Sequence, residues 1–240
     1  MLKLDATDST NSYIKNLLRN EHVKNWTVVV ADYQTQGKGQ FDNEWFSEKG
    51  KNLTFSILVK FQNLKTERQF YLNYLVSIAV YNVLKYYIPD KLAVKWPNDI
   101  LSGQRKICGI LIECMLKNDK VKYAVIGIGL NVNQTLFPEA FKATSLKKIL
   151  KRTIDRDDLL NKIILELQYQ FLLVDKQHFS EIKMMYERLL FKKGIPSMFV
   201  DNNQKAFMGI ISGISEAGKL LVTLEDDSIR EFDLKEIRFA

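Results

Sequence analysis

Two short stretches carry residues that could act on an anionic substrate. In Gly37-Lys38-Gly39 the glycines let backbone amides approach a ligand closely while the ammonium neutralises its charge, as in loops that hold phosphate. This loop is neither a Walker A loop nor a dinucleotide fingerprint. The second stretch, Lys95-Trp96-Pro97-Asn98-Asp99, follows an apolar run. Taken alone it is typical of an ordinary strand end, because Pro97 removes a ladder donor and Asn98-Asp99 favours a turn.

Two more polar stretches stand where strands are expected to end. Asp8-Ser9-Thr10-Asn11 is expected to close the first strand and to open a helix, whose N-terminus presents donors to an anion or a polar ring. Gly127-Ile128-Gly129-Leu130-Asn131 leaves room for a packed ligand that Asn131 could hydrogen-bond, and it lacks the third glycine and helix of a Rossmann crossover. Polar strand ends and a phosphate-type loop together indicate a site that activates a small acid with a nucleotide.

Histidines and cysteines give little support for metal or nucleophilic chemistry. The histidines, His22 and His178, lie far in sequence from the cysteines, so no usual zinc spacing can be assembled. This disfavours metal hydrolases and Ser-His-Asp enzymes. Cys108 and Cys114 are an even number apart in one predicted strand, so we expect both on one face as buried apolar side chains that cannot bridge each other.

Length and charge limit the class of protein. The 240 residues can bury a substantial core and suit one main domain with a small appendage. The formal net charge of +7 is dispersed, which disfavours a nucleic-acid partner and is compatible with an anionic substrate or an acidic protein. The N-terminus lacks the features of a signal peptide and no apolar run is long enough to span a membrane. A soluble, cytoplasmic protein with no membrane partner is therefore expected.

Strand and helix signals alternate along most of the chain. Apolar or β-branched runs predict strands at 26–33, 52–59, 91–96, 106–116 and 122–132. The run 70–88 is apolar almost all round and predicts a buried helix that ends at Pro89. Helical spacing from Leu160 to Phe171 predicts an amphipathic helix behind Asp155, a plausible cap. These signals indicate a mixed sheet covered by helices, followed after Lys193-Gly194 by short segments that fit a five-stranded miniature barrel.

Several of these motifs, taken in order, resemble those of a biotin protein ligase of the kind without an N-terminal DNA-binding domain. The motifs are Ser9-Thr10-Asn11, Gln34, Gly37-Lys38-Gly39, Trp45, Lys95 to Asp99, Lys106 followed by Gly109, Gly127 to Asn131, and the small C-terminal β domain. The order KWPND, then KICGILIE, then GIGLN is highly specific. The resemblance implies an α+β fold: a class II synthetase-like catalytic domain over residues 1–190 and an SH3-like β-barrel over residues 191–240.

The resemblance also implies a reaction and roles for the motif residues. ATP with Mg²⁺ would activate biotin as biotinyl-5'-adenylate, and a lysine of a biotin carboxyl carrier domain would then take the biotinyl group. Lys106, Asp99 and Lys38 would be catalytic, with Asp99 orienting the magnesium-bound nucleotide or the incoming amine. The implied biotin-binding residues are Ser9, Thr10, Asn11, Gln34, Gly37, Lys38, Gly39, Lys106 and Gly109. The implied nucleotide-binding residues are Lys38, Gln40, Trp45, Asn98 and Asn131.

The phosphate-type loop departs from the family pattern. Lysine stands in place of the first arginine, and Phe41-Asp42 replaces a basic residue and a glycine that are common there. Because a lysine cannot make the bidentate contacts of an arginine, this departure predicts faster loss of the adenylate. Two alternatives are a lipoate ligase or octanoyltransferase, disfavoured by the absence of an Arg-Arg and triple-glycine signature, and a catalytically impaired biotin-binding module. Monomer and homodimer both stay open, since exposed sheet edges can pair.

Overall fold

The structure, a computed structural model, describes residues 1–20, 22–40 and 43–240. Within these residues the chain forms twelve strands and five α-helices. The strands are β1 (Leu2–Leu4), β2 (Thr27–Ala31), β3 (Leu53–Lys65), β4 (Leu92–Lys95), β5 (Asp99–Ser102), β6 (Arg105–Lys117), β7 (Lys120–Leu130), β8 (Pro196–Asp201), β9 (Ala206–Ile214), β10 (Leu220–Leu224), β11 (Ile229–Phe232) and β12 (Ile237–Phe239). The α-helices are α1 (Thr10–Asn20), α2 (Tyr71–Tyr87), α3 (Leu146–Leu150), α4 (Arg156–Asp175) and α5 (Phe179–Arg188).

The first seven strands form one mixed sheet, in the order β1-β2-β3-β7-β6-β5-β4. β1 runs parallel to β2, and the other neighbouring strands are antiparallel. The predicted mixed sheet covered by helices is therefore confirmed. β3 and β7 pair over most of their lengths at the centre, so their alternate side chains face helices on both sides of the sheet.

Helices cover the two faces of this sheet unequally. α1 lies on one face, where Ile14 packs with Val29, Leu58 and Val125 in a small buried cluster. The opposite face carries the main core, in which α2 contributes a buried side chain at almost every position of its middle turns. The predicted helix over 70–88 is thus confirmed as α2. Because α1 covers only part of its face, the rest of that face is left for a ligand site.

The other elements were predicted with mixed success. α4 begins behind Asp155, whose side chain accepts a hydrogen bond from the amide of Asp158, as the capping pattern predicted. The sequence did not signal the short strand β5 or helix α5.

Cys108 and Cys114 both pack against the main core, and burial raises the pKa of both thiols, that of Cys114 to about 11. Among the described helices, no stretch is both long enough and apolar enough to cross a membrane.

The last five strands form a second, antiparallel sheet in the order β11-β10-β9-β8-β12. The five predicted strands are therefore present. In the described residues the recorded pairing leaves β11 and β12 at opposite edges, so closure into a barrel is not shown. Phe199 and Phe232 are almost fully buried in this sheet, with the ring of Phe207 stacked between them. Contacts of Trp96 and Glu187 with the backbone of the β9–β10 region attach this sheet to the rest of the chain.

Candidate functional site

One row of residues across the main sheet forms the floor of the candidate site. Pairing in register aligns, from β2 to β4, Ala31, Thr54, Gly129, Gly109, Asp99 and Lys95. This row lies on the face that carries α1, just beyond the N-terminus of that helix. The two glycines at its centre are adjacent across strands, so the floor is flat and the backbone is open to close approach. Asp99 and Lys95 form one end of this row.

The indole of Trp45 lies on the glycine floor. A Cβ on Gly129 would stand 2.3 Å from Trp45 Cε2, and a Cβ on Gly109 would stand 3.1 Å from Trp45 Cζ3. Lys106 Nζ lies 5.6 Å from the indole centroid, within the range of a cation–π contact. Trp45 Nε1 is buried and has no hydrogen-bond partner among the described residues. Such an unsatisfied donor in a cavity is a group that a ligand can satisfy.

The KWPND stretch forms the tight connection between β4 and β5. β4 ends at Lys95, and Asp99 is the first residue of β5, where it pairs in register with Lys95 on one side and with Gly109 on the other. Asn98 Nδ2 donates a 2.6 Å hydrogen bond to the carbonyl of Ile110. This bond ties the turn to β6, and it commits part of the Asn98 amide to the protein. The turn therefore fixes the position of the Asp99 carboxylate.

Asp99 forms an ion pair with Lys106 at the wall of the cavity. Lys106 Nζ lies 2.6 Å from Asp99 Oδ1, and both side chains are about one-quarter to one-third exposed. Lys106 is held near the start of β6, where its own amide and carbonyl bond the backbone at Lys142 and Thr144. An ammonium and a carboxylate in contact at a cavity wall can stabilise developing negative charge and accept a proton. The structure thus brings into contact two of the three residues for which the resemblance implied catalytic roles, and the third, Lys38, lines the same cavity.

A polar cluster lies where α1 begins. The amide of Thr10 donates a 2.8 Å hydrogen bond to Gln34 Oε1, and Thr10 Oγ1 lies 3.0 Å from the same oxygen. These contacts leave the Nε2 end of the same Gln34 amide as a donor for a ligand. Ser9, Thr10 and Asn11 are all buried to about 97%. The Asn11 amide, by contrast, is engaged within the protein, by Glu113 and Leu111 at Nδ2 and by Ser56 at Oδ1.

The described parts of the phosphate-type loop, residues 37–40 and 43–45, form the two arms of a short hairpin. The amide of Trp45 bonds the carbonyl of Gly37, and the amide of Gly39 bonds the carbonyl of Asn43. Lys38 is exposed and bridges Glu44 through the backbone. Phe41 and Asp42, which carry part of the departure from the family pattern, lie outside the described residues. A Cβ on Gly37 would stand 2.5 Å from the Trp45 carbonyl oxygen, so the hairpin needs glycine there.

These elements enclose a cavity of about 280 Å³, close to the lower end of the size range of small-molecule sites. Its walls include most of the residues singled out in the sequence: Ser9, Thr10, Asn11, Gln34, Lys38, Gly39, Gln40, Trp45, Asn98, Asp99, Lys106 and Gly109. Gly37 and Asn131 do not line this cavity. Asn131 directly follows β7, where its amide bonds the carbonyl of Ile107, and its Oδ1 is buried without a partner in the described part of the chain.

The sequence did not point to the wall that the C-terminal sheet supplies. Lys235, Ile237, Arg238 and Phe239 line the cavity opposite the glycine floor. With Lys38, Lys95 and Lys106 they give the wall more basic than acidic side chains, the acidic ones being Asp99 and Glu44. A basic excess of this kind suits a phosphorylated ligand. In residues 1–20, 22–40 and 43–240 no three His, Cys, Asp or Glu side chains are grouped so that they could hold a metal ion.

The fold and the site define a class of protein in which a mixed sheet carries an ammonium–carboxylate pair beside a polar cluster, under a basic wall from a second sheet. Residues 4–131 match the profile of the biotin/lipoate A/B protein ligase family. The chain belongs to that family.

Individual relatives agree with this assignment. The chain is 31% identical over 213 residues to the bifunctional ligase/repressor BirA of Bacillus spizizenii, covering 87% of this chain and 65% of the relative. It is 30% identical over 228 residues to the protein of the same name from Escherichia coli, covering 94% and 69%. The chain thus spans about two thirds of the length of these relatives. The biotin protein ligase from Aquifex aeolicus, in complex with biotin and ATP, superposes with a TM-score of 0.80 at 28% identity, covering 100% of this chain and 98% of that one.

Proposed function

We propose that the protein activates biotin with ATP to biotinyl-5'-adenylate and transfers biotin to a lysine of a biotin carboxyl carrier domain. The observation that carries this proposal is the contact of Lys106 with Asp99 in the cavity that also contains the polar cluster at Ser9, Thr10 and Gln34. Support comes from the Aquifex structure, which covers this chain from end to end and whose complex contains biotin and ATP.

In the first step, a carboxylate oxygen of biotin attacks the α-phosphorus of ATP and pyrophosphate leaves. Negative charge on the phosphoryl oxygens must be stabilised while two anions approach each other. Lys106 Nζ lies next to Gly109 in the floor of the cavity, and Lys38 also lines the cavity. The polar cluster at α1 lies on the same face of the sheet, so the ring of biotin would bind there with its carboxylate directed to Lys106.

In the second step, the amine of the carrier lysine attacks the activated carbonyl, and the bond between that carbonyl and the adenylate oxygen breaks, releasing AMP. The attacking nitrogen must lose a proton. Asp99 is the carboxylate at the reacting centre, and its contact with Lys106 places it beside the developing charge. We therefore assign Asp99 to orientation and deprotonation of the amine, and Lys106 to stabilisation of the charged oxygens.

The nucleotide is proposed to lie between the hairpin at 37–45 and the C-terminal sheet. Gln40, Asn98 and Trp45 line that part of the cavity, and Trp45 offers an aromatic face to adenine. We also assign Asn131 to nucleotide binding, because its Oδ1 is buried without a partner among the described residues, although Asn131 does not line the cavity. Mg²⁺ would arrive on the triphosphate, with Asp99 as the protein's candidate contact. The role of magnesium would be to offset phosphate charge.

Other features of the proposal concern the domains, the carrier and the location. Residues 1–190 would be the catalytic domain and residues 191–240 an SH3-like β domain; the five antiparallel strands and the buried stack of aromatic rings support a compact unit. The net charge of +7 favours capture of an acidic carrier. Consumption of ATP supports a cytoplasmic location. The expectations of no nucleic-acid partner and of a monomer or homodimer stay predictions.

Exchange of labelled pyrophosphate into ATP tests the first step. The purified protein should catalyse exchange with biotin and should not do so with lipoate or octanoate. Exchange driven by lipoate or octanoate alone would assign the protein to the other branch of its family. Tight binding of biotin without any exchange would instead identify an impaired binding module.

The altered loop carries a separate prediction about release of the adenylate. Lys38→Arg should slow dissociation of preformed biotinyl-adenylate about tenfold, because a guanidinium can make a bidentate contact and a hydrogen bond to a charged group contributes roughly 1.5–3 kcal/mol. Lys38→Ala gives the fast limit, and Asp42→Gly tests the neighbouring departure. Filter binding of labelled adenylate measures the rates. Equal rates for Lys38→Arg, Asp42→Gly and the unmodified protein would mean that the departure is neutral.

A further inference from the structure

A buried hydrogen-bond network extends from the candidate ring-binding cluster to the far side of α1. Register places Ser56 next to Gly127 and Gly127 next to Leu111, with Glu113 two residues beyond Leu111 on the same face of β6. A Cβ on Gly127 would stand 2.5 Å from Asn11 Oδ1, so the missing side chain makes the space that the Asn11 amide occupies. The first glycine of the GIGLN motif, Gly127, is therefore needed to make room for the Asn11 side chain.

Glu113 determines which way the Asn11 amide faces. Its Oε2 accepts a 2.8 Å hydrogen bond from Asn11 Nδ2, and an ionised carboxylate can only accept. The Nδ2 end must therefore point to β6, and Oδ1 must point to Ser56, whose Oγ lies 2.6 Å away. Lys15 Nζ holds the other carboxylate oxygen at 2.7 Å. Because Lys15 and Glu113 are each about one-third exposed, their ion pair adds little stability, and its effect is to orient the carboxylate.

The orientation of Asn11 in turn sets the direction of two hydroxyl groups. Ser56 Oγ lies 2.6 Å from Asn11 Oδ1 and 2.6 Å from Thr10 Oγ1, and Thr10 Oγ1 lies 3.0 Å from Gln34 Oε1. Three oxygen–oxygen contacts thus share two hydroxyl protons. Since Asn11 Oδ1 cannot donate, Ser56 gives its proton to Asn11 and Thr10 gives its proton to Ser56. The longest of the three contacts, between Thr10 Oγ1 and Gln34 Oε1, is left without a proton. Gln34 Oε1 still accepts a 2.8 Å hydrogen bond from the Thr10 amide.

We propose that Glu113, oriented by Lys15, is a positioning residue that acts through Asn11 and the buried Ser56 to turn the hydroxyl proton of Thr10 away from the cavity, so that Thr10 Oγ1 accepts a hydrogen bond from a ring N–H group of the bound substrate. This proposal rests on the proposed function, in which that substrate is biotin with its ureido ring. Glu113 itself does not line the cavity, so it acts through Asn11. Recognition of the ring, rather than the chemistry at Lys106, is what Glu113 controls.

The test compares Glu113→Ala, Glu113→Gln and Lys15→Met with the unmodified protein. Glu113→Ala should raise the Kd and the KM for biotin about tenfold, the loss expected for one hydrogen bond to a charged group, while kcat and the KM for ATP change by less than about twofold. Glu113→Gln should retain much of the affinity, because the amide oxygen of glutamine can still accept from Asn11. Lys15→Met should act in the same direction with a smaller effect.

A matched control is available on the other face of the sheet. Glu166 accepts a 2.9 Å hydrogen bond from Asn82 between α4 and α2, so Glu166→Gln changes a similar pair away from the cavity. It should leave the KM for biotin unchanged. A biotin methylated on one ureido nitrogen gives a second readout. The loss of affinity caused by the methyl group should be smaller in Glu113→Ala than in the unmodified protein, because the Thr10 hydroxyl has then lost its fixed orientation.

The outcomes separate this proposal from the proposed function. If the unmodified protein binds no biotin in calorimetry, the proposed function fails. If it binds biotin and folded Glu113→Ala binds it equally well, the positioning role of Glu113 is wrong and the proposed function stands. The positioning role would also be wrong if Glu113→Ala lowered kcat as much as biotin affinity. It would likewise be wrong if methylation of biotin cost Glu113→Ala as much affinity as it costs the unmodified protein. Should Glu113→Ala not fold, the same readouts in Glu113→Gln and Lys15→Met decide.

Discussion

Lys106→Ala is expected to lower biotin-dependent exchange of pyrophosphate into ATP by about 100-fold or more. Loss of a single electrostatic contact to charge that develops in a transition state typically costs this much. Lys106 Nζ is 2.6 Å from Asp99 Oδ1 and lies over the glycine floor, so no other described cation has the same position. The measurement is the rate of exchange at saturating biotin and ATP. Asp99→Ala should also lose most activity, chiefly in transfer to the carrier.

A remote ion pair provides the control for Lys106→Ala. Lys162 contacts Asp158 at 2.7 Å on the exposed side of α4, so Lys162→Ala removes a lysine from an ion pair of similar length away from the cavity. It should leave exchange unchanged. Circular dichroism and a thermal melt establish that each variant is folded. Near-normal exchange by a folded Lys106→Ala would show that the reacting centre lies elsewhere.

Gly129→Ala is expected to weaken binding of biotin and of the adenylate roughly fivefold to 100-fold. The new Cβ would stand 2.3 Å from Trp45 Cε2, so the indole must leave the floor, and such overpacking typically costs about 1–3 kcal/mol. Backbone strain plays no part, because Gly129 does not have a positive φ. Equilibrium dialysis with labelled biotin measures the loss, and tryptophan fluorescence reports the displaced ring.

Two further variants test whether the clash with Trp45 is the cause. Gly109→Ala places a Cβ 3.1 Å from the same indole and 3.0 Å from the flexible end of Lys106, so its effect should be smaller. Gly129→Ala in a Trp45→Ala background should cost much less than in the unmodified protein, because the clashing partner is gone. If Gly129→Ala costs as much without the indole as with it, the glycine floor does not act through Trp45.

Local chemistry predicted much of the fold. The all-round apolar run that became α2 and the Asp155 cap of α4 are signals that a single segment carries. The central strands, β3 and β7, were predicted from β-branched runs, although β3 continues past residue 59 to Lys65 and β7 begins and ends two residues earlier than predicted. β5 was missed because it has four residues directly after a proline turn. Its pairing with β6, rather than its own composition, makes it a strand.

The candidate site was predicted less completely, because part of it depends on packing between distant segments. Polar stretches at predicted strand ends marked Ser9 and Asp99, the family resemblance added Gln34 and Lys106, and the fold places all four at one cavity. The wall from the C-terminal sheet, including Arg238, has no local signal, since its place over the glycine floor follows from how the two sheets dock. Glu113 was missed as well, because only the register of β6 with β7 shows that it reaches Asn11.

Intact-mass spectrometry of a carrier domain tests the central claim most directly. The protein would be incubated with biotin, MgATP and a biotin carboxyl carrier domain, alongside the same domain with its acceptor lysine changed to arginine. The account predicts one added biotinyl group on the first domain, none on the second, and none when ATP is omitted. An unmodified carrier under conditions in which a known biotin ligase modifies it fully, or a lipoyl or octanoyl group in place of biotin, would contradict the account.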